Sequence, residues 1–431
     1  MARSGIAAAR LLAARGEIVI GTDSASPVGA RRLVETGVEV VLDVDGSELV
    51  ERAGCVVKSP GVPAEAPAIV AARERGIPVI GELELAWRLL PNRFVAVTGT
   101  NGKTTVSELL GHLWRAAEMP VAVAGNVGTP LSSLAATALD PQTTIVCEAS
   151  SFQLEDAVDF APEVGTLLNV ASDHLDRHGT VGAYTEAKLR LFSSQTHGDL
   201  AVVGTPEIAS FGARLGAGTL ISFGRDAEAD AALRDDAIHW RGERLVGTDQ
   251  LRLLGAHNAL NATAAAATAL AAGLDTDAVR AGLSSFEGVA HRLEPVAEIG
   301  GVLYVNDSKA TNVAAAEVAL RSFDGGVRAI LGGSPKGERF DGLAEAVSER
   351  CVACYLVGEA AELIEQDLQP AWDAGVEHRH YDGLAQAVRA AAMQAGSGEV
   401  VLMAPACASF DVYRDFEERG EHFRRLVGEL T

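Results

Sequence analysis

Short apolar runs alternate with stretches in which apolar residues recur every three or four positions, a pattern typical of α/β proteins. Residues 94–97 form one apolar run and predict a buried strand. Residues 106–117 carry apolar side chains at helical spacing and predict a helix. Between them lie residues 99–105, Gly-Thr-Asn-Gly-Lys-Thr-Thr. This order predicts a phosphate-binding cradle, because loop amides and a helix N-terminus both attract an anion.

The loop is a shortened variant of the general phosphate loop. That motif has four residues between its glycines, whereas two separate Gly99 from Gly102, and Val97 occupies the usual first-glycine position. Lys103 would reach the β- and γ-phosphates, and the Thr104 hydroxyl would ligate Mg²⁺. The alternative is a glycine turn with a chance lysine, which the flanking strand and helix disfavour.

The first 90 residues also alternate between predicted helix and strand. Asp23 closes a strand after the first helix, as does the ribose-binding acid of a dinucleotide fold. Ser4 and Gly5 would end the glycine loop of that fold, and residues 59–62 form another tight loop near the same crevice. The strand that should precede Arg3 is absent, so either the start codon is misplaced or the domain lacks a central strand.

The 431 residues suffice for two or three domains, and we predict boundaries that give residues 1–90, 91–290 and 291–431. Each segment has the alternating α/β pattern. Residues 204–250 are polar, and we predict irregular structure there.

Composition excludes several classes of function. Lys and Arg total 36 against 58 Asp and Glu, a net charge of −22, which argues against a non-specific nucleic-acid binder. No run of 18 apolar residues or signal-peptide pattern is present, so we expect a soluble cytoplasmic protein without membrane association. Five scattered cysteines fit a reducing compartment. Cys351 and Cys354 form a lone C-x-x-C in an apolar run, which favours core packing over zinc.

Lysine is rare in this sequence. Five of the 36 basic residues are lysine and 31 are arginine (36 − 5). A compact ammonium binds phosphate as a point charge and can lose its proton, so a lysine here can mark chemistry unavailable to arginine. The lysines are Lys58, Lys103, Lys188, Lys309 and Lys336.

Polar side chains follow several predicted strands. Glu148 ends the apolar run 144–147, where a phosphate-loop enzyme places a second metal ligand. His174 and His178 are four residues apart and could imitate a helical zinc pair, but no third ligand is obvious. Loops at the carboxyl ends of parallel strands are where such sheets bind ligands.

Together these residues resemble the Mur ligase family over nearly the whole chain. The loop 99–105 is shared by Mur ligases and folylpolyglutamate synthetases. Residues 150–154, 173–178 and above all 306–312 resemble the glutamate-adding branch. The resemblance implies UDP-binding, ATPase and amino-acid-binding domains, the outer two Rossmann-like and the first apparently missing its first strand.

The resemblance also implies an activity in cytoplasmic peptidoglycan precursor synthesis. ATP and the carboxylate of UDP-N-acetylmuramoyl-L-alanine would form an acyl phosphate, which the amine of D-glutamate then attacks. Lys103, His174 and Lys188 would be catalytic, with Lys188 carried as a carbamate formed with CO₂. Thr104, Glu148, His174 and carbamylated Lys188 would hold two Mg²⁺ ions. We expect a monomer.

Further residues match the family's ligand contacts. Arg292 and Lys309 lie beyond the ATPase segment and would reach the nucleotide only if the C-terminal domain closes. Phe416 could equally be a core residue. The implied ATP contacts are Gly99, Thr100, Asn101, Gly102, Lys103, Thr104, Thr105, Asn258, Asn261, Arg292, Asp307 and Lys309; the implied UDP-sugar contacts are Ser4, Gly5, Asp23, Ser59, Gly61 and Asn126; the implied glutamate contacts are Thr311, Lys336, Ser409 and Phe416.

Rival functions remain open at this point. One is a related ligase, either an L-glutamate-adding homologue or a folylpolyglutamate-type synthetase, although residues 306–312 argue against the folate case. The other is a catalytically idle nucleotide-binding protein. It predicts losses among Lys103, Glu148, His174 and Lys188, all of which are present.

Overall fold

The computed structural model describes residues 1–27, 29–137, 139–335 and 337–430, apart from the side chain of Asp176. The chain forms two compact units. The first comprises Met1–Leu251 with Leu260–Phe286, and the second Arg252–Ala259 with Glu287–Thr431.

The N-terminal part of the first unit contains two separate pairs of parallel strands. Helix α1 buries Ala8 with Ile80 and Ala9 with Leu33, so this one helix packs against both strand pairs. Within the described residues no strand joins β1–β2 to β3–β4, the gap expected of a Rossmann-like domain without its central strand. The elements are α1 (Arg3–Ala14), β1 (Ile20–Asp23), β2 (Glu39–Leu42), β3 (Val56–Lys58), α2 (Pro67–Glu74), β4 (Val79–Gly81) and α3 (Glu82–Leu89).

A nine-stranded sheet forms the rest of the first unit, in the order β13-β12-β11-β10-β9-β8-β5-β7-β6. Its central strands β5, β7 and β8 are buried along their whole length, as expected of parallel strands covered on both faces. Because β5 pairs in parallel with β7 and β8, the carboxyl ends of the three strands meet at one edge of the sheet. The elements are β5 (Phe94–Thr98), α4 (Lys103–Ala116), β6 (Val121–Gly125), α5 (Leu131–Ala135), β7 (Thr144–Glu148), α6 (Ser151–Leu154), β8 (Val164–Leu167), α7 (Leu175–His178), α8 (Val181–Ser193), β9 (Leu200–Gly204), α9 (Thr205–Phe211), β10 (Thr219–Gly224), β11 (Ala231–Arg234), β12 (Ala237–Trp240), β13 (Glu243–Gly247), α10 (Ala256–Ala271) and α11 (Thr276–Ser285). Residues 256–259 of α10 belong to the second unit.

The prediction of irregular structure for residues 204–250 is wrong. This segment contains α9 and the strands β10 to β13, which extend the sheet. The strands β11 and β12 are four residues each and join through Asp235 and Asp236, both at positive φ (49° and 51°). Such a two-residue hairpin usually carries Asn-Gly or Asp-Gly, so the Asp-Asp turn between short strands left little signal in the sequence.

The second unit contains a six-stranded sheet in the order β14-β15-β19-β16-β17-β18. The strand β14 pairs antiparallel with β15, and the remaining neighbours are parallel. Apolar clusters cover both faces of the sheet. The elements are β14 (Glu294–Ile299), β15 (Val302–Asn306), α12 (Val313–Leu320), β16 (Val327–Gly332), α13 (Ala344–Arg350), β17 (Cys351–Val357), α14 (Ala361–Asp367), α15 (Gln369–Asp373), β18 (Glu377–Tyr381), α16 (Leu384–Gln394), β19 (Val400–Met403) and α17 (Phe416–Gly428).

Among the described residues, none of the helices has the length and apolar character needed to cross a bilayer.

Candidate active site

The glycine loop connects β5 to α4 and depends on two glycines with unusual backbone angles. Gly99 has φ +156° and Gly102 has φ +85°, which L side chains rarely adopt. A Cβ at Gly102 would lie 2.3 Å from Oδ1 of Asn261, and one at Gly99 would lie 2.9 Å from Cβ of Leu168. The loop is therefore built for close approach of backbone, as a phosphate cradle requires.

Lys103 is the first residue of α4 and folds back over the loop. Its Nζ donates hydrogen bonds to the carbonyl oxygens of Gly99 and Thr100, both at 2.8 Å. Thr104 and Thr105 follow in the first helical turn and are buried. The ammonium and the helix N-terminus thus lie at the loop, where a triphosphate would find both.

Lys188 extends from α8 to the same loop. Its Nζ donates to the Gly99 carbonyl at 2.7 Å and lies 4.4 Å from the centre of the Tyr184 ring. Its residue exposure is 1%. Burial, together with the charge of Lys103, lowers the pKa of Lys188 to about 6, although Asp173 acts in the opposite direction. The amine is therefore mostly neutral at pH 7.

Tyr184, whose ring lies against Lys188, also contacts Thr100. The hydroxyl of Tyr184 and Oγ1 of Thr100 are 3.1 Å apart, and Thr100 Oγ1 accepts from the amide of Ala171 at 2.9 Å. Burial raises the pKa of Tyr184 to about 12, so this hydroxyl stays protonated. Tyr184 was not predicted as a site residue. The available signal was its position one helical turn before Lys188, which places both on one face of α8.

Glu148 ends β7 directly beside the loop strand. It pairs with Val97 in the sheet register, and the amide of Ala149 donates to the Val97 carbonyl at 2.9 Å. The Glu148 residue is 3% exposed, and its Oε1 accepts from Nδ2 of Asn126 at 2.9 Å. Asn126 was predicted to contact the UDP-sugar, and the structure places it against this carboxylate.

His174 has a left-handed backbone (φ 51°) immediately before α7. Its ring packs 4.8 Å from that of Phe152, and its Nε2 lies 3.5 Å from Oδ2 of Asp173. His178 turns instead toward Ser151, with Nε2 3.0 Å from the serine hydroxyl. In the part of the chain that the structure describes, no three His, Cys, Asp or Glu side chains converge as a metal site.

Four of the predicted UDP-sugar residues lie around two neighbouring segments. A Cβ at Gly5 of α1 would lie 2.5 Å from Oγ of Ser59, so the start of α1 and the loop after β3 are in close contact. Ser4 precedes Gly5 in α1, and Gly61 lies two residues beyond Ser59. Asp23 ends β1 and accepts from the amide of Ala25 at 2.9 Å.

In the second unit, Asp307 directly follows β15 and is buried. Its Oδ1 accepts from the amide of Leu293 at 3.2 Å. Burial raises the pKa of Asp307 to about 7, against the opposing effects of that hydrogen bond and of Arg292. Nζ of Lys309 lies 5.0 Å from the centre of the Phe416 ring, so a predicted nucleotide contact meets a predicted glutamate contact.

Phe416 is half-buried at the start of α17 and does not belong to the core. Ser409 is buried in the loop after β19, where its carbonyl accepts from the amide of Tyr413 at 2.8 Å. The amide of Thr311 donates to the Lys309 carbonyl at 2.8 Å, and Nδ2 of Asn258 donates to the Leu254 carbonyl at 2.8 Å. Lys336 lies outside the described residues.

Arg419 connects the loop after β15 to the loop after β19, and it was not predicted from the sequence. Its guanidinium donates to the carbonyl and hydroxyl of Ser308, at 2.9 and 3.0 Å, and to the carbonyls of Cys407 and Ala408, at 3.0 and 3.1 Å. Burial lowers its pKa to about 10. Its place on α17 gave no warning of burial, because acidic residues surround it in sequence.

Three family models together match most of the chain. They are described as "Mur ligase MurD-like, N-terminal domain" over residues 1–81, "Mur ligase middle domain" over 97–269, and "Mur ligase, glutamate ligase domain" over 291–407. These matches confirm the prediction of a three-domain α/β fold.

Full-length relatives point to the same family. A protein of Koribacter versatilis named UDP-N-acetylmuramoylalanine--D-glutamate ligase is 40% identical, over 100% of this chain and 96% of the relative. A protein of Pelotomaculum thermopropionicum with the same name is 40% identical, over 99% and 95%.

Solved structures share the fold at lower identity. The MurC ligase of Thermotoga maritima superposes with a TM-score of 0.62 at 19% identity, covering 99% of this chain and 97% of its own. The MurF ligase of the same organism, solved with ADP, gives 0.60 at 19% identity, covering 97% and 91%.

Proposed function

This chain belongs to the Mur ligase family of ATP-dependent amide-bond-forming enzymes, and we propose that it joins D-glutamate to UDP-N-acetylmuramoyl-L-alanine. The relatives named for that reaction support the choice of both substrates. We place the reaction in cytoplasmic peptidoglycan precursor synthesis, assign it to a monomer, and propose domains spanning residues 1–90, 91–290 and 291–431.

The glycine loop would bind the triphosphate of ATP. Backbone amides of the loop and the N-terminus of α4 offer donors, and the Lys103 ammonium at the Gly99 carbonyl offers a point charge. Such fixed donors stabilise charge that develops during phosphoryl transfer.

The residues around the loop fit the Mg²⁺ that such a transfer needs. The Thr104 hydroxyl, the buried Glu148 carboxylate and a carbamate on Lys188 are oxygen donors, the type that Mg²⁺ prefers. His174 would complete the set. When bound, Mg²⁺ would neutralise the repulsion between the substrate carboxylate and the γ-phosphate.

The reaction would proceed in two steps. A carboxylate oxygen of UDP-N-acetylmuramoyl-L-alanine attacks the γ-phosphorus, the bond to the β-phosphate oxygen breaks, and ADP leaves. The amine of D-glutamate then attacks the acyl carbon, loses a proton and expels phosphate. Thr311, Lys336, Ser409 and Phe416 would hold the glutamate.

One observation carries this proposal: Lys188 lies at the phosphate loop as a buried amine with a lowered pKa. A carbamate forms only on a neutral amine, and it converts a cation beside the loop into an oxygen ligand. An idle nucleotide-binding protein has no use for a buried lysine at this place, because an apolar residue would pack there without the desolvation penalty.

Phosphate release measured over a matrix of substrates tests the function. We expect release from Mg-ATP only when both UDP-N-acetylmuramoyl-L-alanine and D-glutamate are present, and we expect Lys188→Met to abolish it. Equal release with L-glutamate would favour the L-glutamate-adding alternative. No release under any combination from folded protein would favour the idle nucleotide-binding protein.

A further inference from the structure

Lys58 is the one lysine of the first unit that the proposed function does not use. It ends β3, and its side chain is 0% exposed. Its Nζ lies 3.0 Å from Oε1 of Glu155 and 2.6 Å from Oδ2 of Asp156. Both carboxylates follow α6 in the part of the unit built on the nine-stranded sheet. A cation at the end of β3 is therefore paired with two carboxylates that directly follow α6.

Arg177 completes this arrangement from α7. One of its terminal nitrogens donates to Oε1 of Glu155 at 2.8 Å and to the carbonyl of Val62, also at 2.8 Å. Glu155 Oε1 thus accepts from both Lys58 and Arg177. Val62 closes the loop 59–62, which contains two of the candidate UDP contacts. We call Lys58, Glu155, Asp156 and Arg177 the clamp.

The clamp connects that loop to His174. Arg177 lies in α7, and His174 immediately precedes the same short helix. The Phe152 ring contacts both, with its centre 5.5 Å from the Arg177 guanidinium carbon and 4.8 Å from the His174 ring centre. A contact path therefore runs from Val62 through Arg177 to the histidine at the active site.

Charge, rather than apolar packing, sets the geometry at this contact. Two cations face two carboxylates in a largely buried place, where the net stabilisation from an ion pair is small. Directional pairs nevertheless allow one registry between the elements that carry them, whereas apolar side chains tolerate sliding. The clamp thus links the loop 59–62 to the short helix that follows His174.

We propose that the four clamp residues are positioning residues that hold the subsites for the two ends of UDP-N-acetylmuramoyl-L-alanine at a fixed separation. The loop 59–62 takes the uridine diphosphate end, and His174 takes the reacting carboxyl end; this rests on the proposed function. A ligand with two linked ends binds tightly only when both subsites match its span. Loosening the clamp removes the match and leaves each subsite intact.

Binding measured for one end and for the whole substrate tests this inference. Lys58→Met combined with Asp156→Asn removes one charge of each sign. By calorimetry, we expect its Kd for UDP to stay within about twofold of the parent and its Kd for UDP-N-acetylmuramoyl-L-alanine to rise about tenfold or more. In steady-state kinetics, KM for that substrate should rise with little change in kcat.

Two further variants accompany this test, one within the clamp and one outside it as a control. Arg177→Lys keeps the charge but cannot reach both Glu155 and Val62, so it too should raise the Kd for UDP-N-acetylmuramoyl-L-alanine and leave the Kd for UDP within about twofold of the parent. Arg52→Met removes the exposed pair between Arg52 and Glu39 in the same N-terminal region and should change neither Kd. Thermal unfolding establishes that each variant is folded.

The possible results distinguish a failure of the clamp proposal from a failure of the proposed function. A parallel loss for UDP and for the whole substrate would show a local structural role and overturn the proposal, as would no loss for either. If the parent binds UDP but not UDP-N-acetylmuramoyl-L-alanine, the proposed function itself is wrong. If the parent binds both and all variants match it, only the clamp is refuted.

Discussion

Lys103 and Lys188 donate hydrogen bonds to the same acceptor, the carbonyl oxygen of Gly99, at 2.8 and 2.7 Å. Two neighbouring ammonium groups each destabilise the charged form of the other, and the more deeply buried one, Lys188, loses its proton more readily. Burial, reinforced by the charge of Lys103, accordingly lowers the pKa of Lys188 from 10.5 to about 6. The phosphate loop thus has one cation and one neutral amine.

This lowered pKa predicts an alkaline gain in stability. Between about pH 6 and 10.5 the unfolded chain binds a proton at Lys188 that the folded chain does not, so the free energy of unfolding rises with pH. The contribution is about 1.4 kcal/mol per pH unit in this window. Urea denaturation in magnesium-free, CO₂-free buffer at about pH 6.5 and pH 9 measures it.

Lys188→Met is the matched variant for this measurement, because it keeps most of the volume and removes the titrating group. Its free energy of unfolding should exceed that of the parent near neutral pH and converge with it as the pH rises. If the two proteins show the same dependence on pH, Lys188 is not buried as an amine.

Carbamylation of Lys188 should depend on Lys103. In ¹³C-bicarbonate near neutral pH, we expect the parent to show a carbamate carbon resonance that Lys188→Met lacks. Lys103→Met removes the neighbouring cation, which raises the pKa of Lys188 and reduces the fraction of reactive amine. The signal in Lys103→Met should therefore be weaker, and an undiminished signal would contradict this coupling.

The sequence predicted best where one local motif specifies both backbone and chemistry. The loop 99–105 was identified because strand, glycines, lysine and helix follow one another, and the structure has each in that order. Glu148 was placed at a strand end, and it ends β7. Apolar runs in buried parallel strands are continuous, so their ends are well marked.

Contacts between distant segments were not predictable in the same way. Tyr184 meets Thr100 and Lys58 meets Glu155 across 84 and 97 residues. Nothing in the local pattern marks such partners, because burial of a polar side chain depends on which elements the fold brings together. The strands β11 to β13 were missed for another reason: they are only four or five residues long, too short to show a clear alternating pattern.

Gly102→Ala should impair nucleotide binding. Alanine at φ +85° is strained, and its Cβ would lie 2.3 Å from Oδ1 of Asn261. We expect a loss of about 1 kcal/mol or more in the free energy of unfolding, from the backbone strain alone. Calorimetry with ADP should show weakened binding. The double variant Gly102→Ala/Asn261→Ala relieves the clash but not the strain, so it should recover only part of the loss in the free energy of unfolding.

The raised pKa of Asp307, in the second unit, predicts the opposite dependence of the free energy of unfolding on pH. Burial raises its pKa from 3.8 to about 7, so between these values the folded chain retains a proton that the unfolded chain releases. Its stabilising contribution is complete below about pH 4 and is lost as the pH rises to about 7, at up to about 1.4 kcal/mol per pH unit.

Asp307→Asn tests this dependence, because asparagine is uncharged at every pH and can still accept from the amide of Leu293. Urea denaturation without nucleotide at about pH 5 and pH 7 should show that the stability of the variant relative to the parent rises with pH. Asp277 on α11 is exposed, so Asp277→Asn serves as the control. Its free energy of unfolding should depend on pH as that of the parent does. Parallel curves for the parent and Asp307→Asn would mean that Asp307 is ionised in the folded protein, and the buried strand-end carboxyl would then have to be paired with a cation.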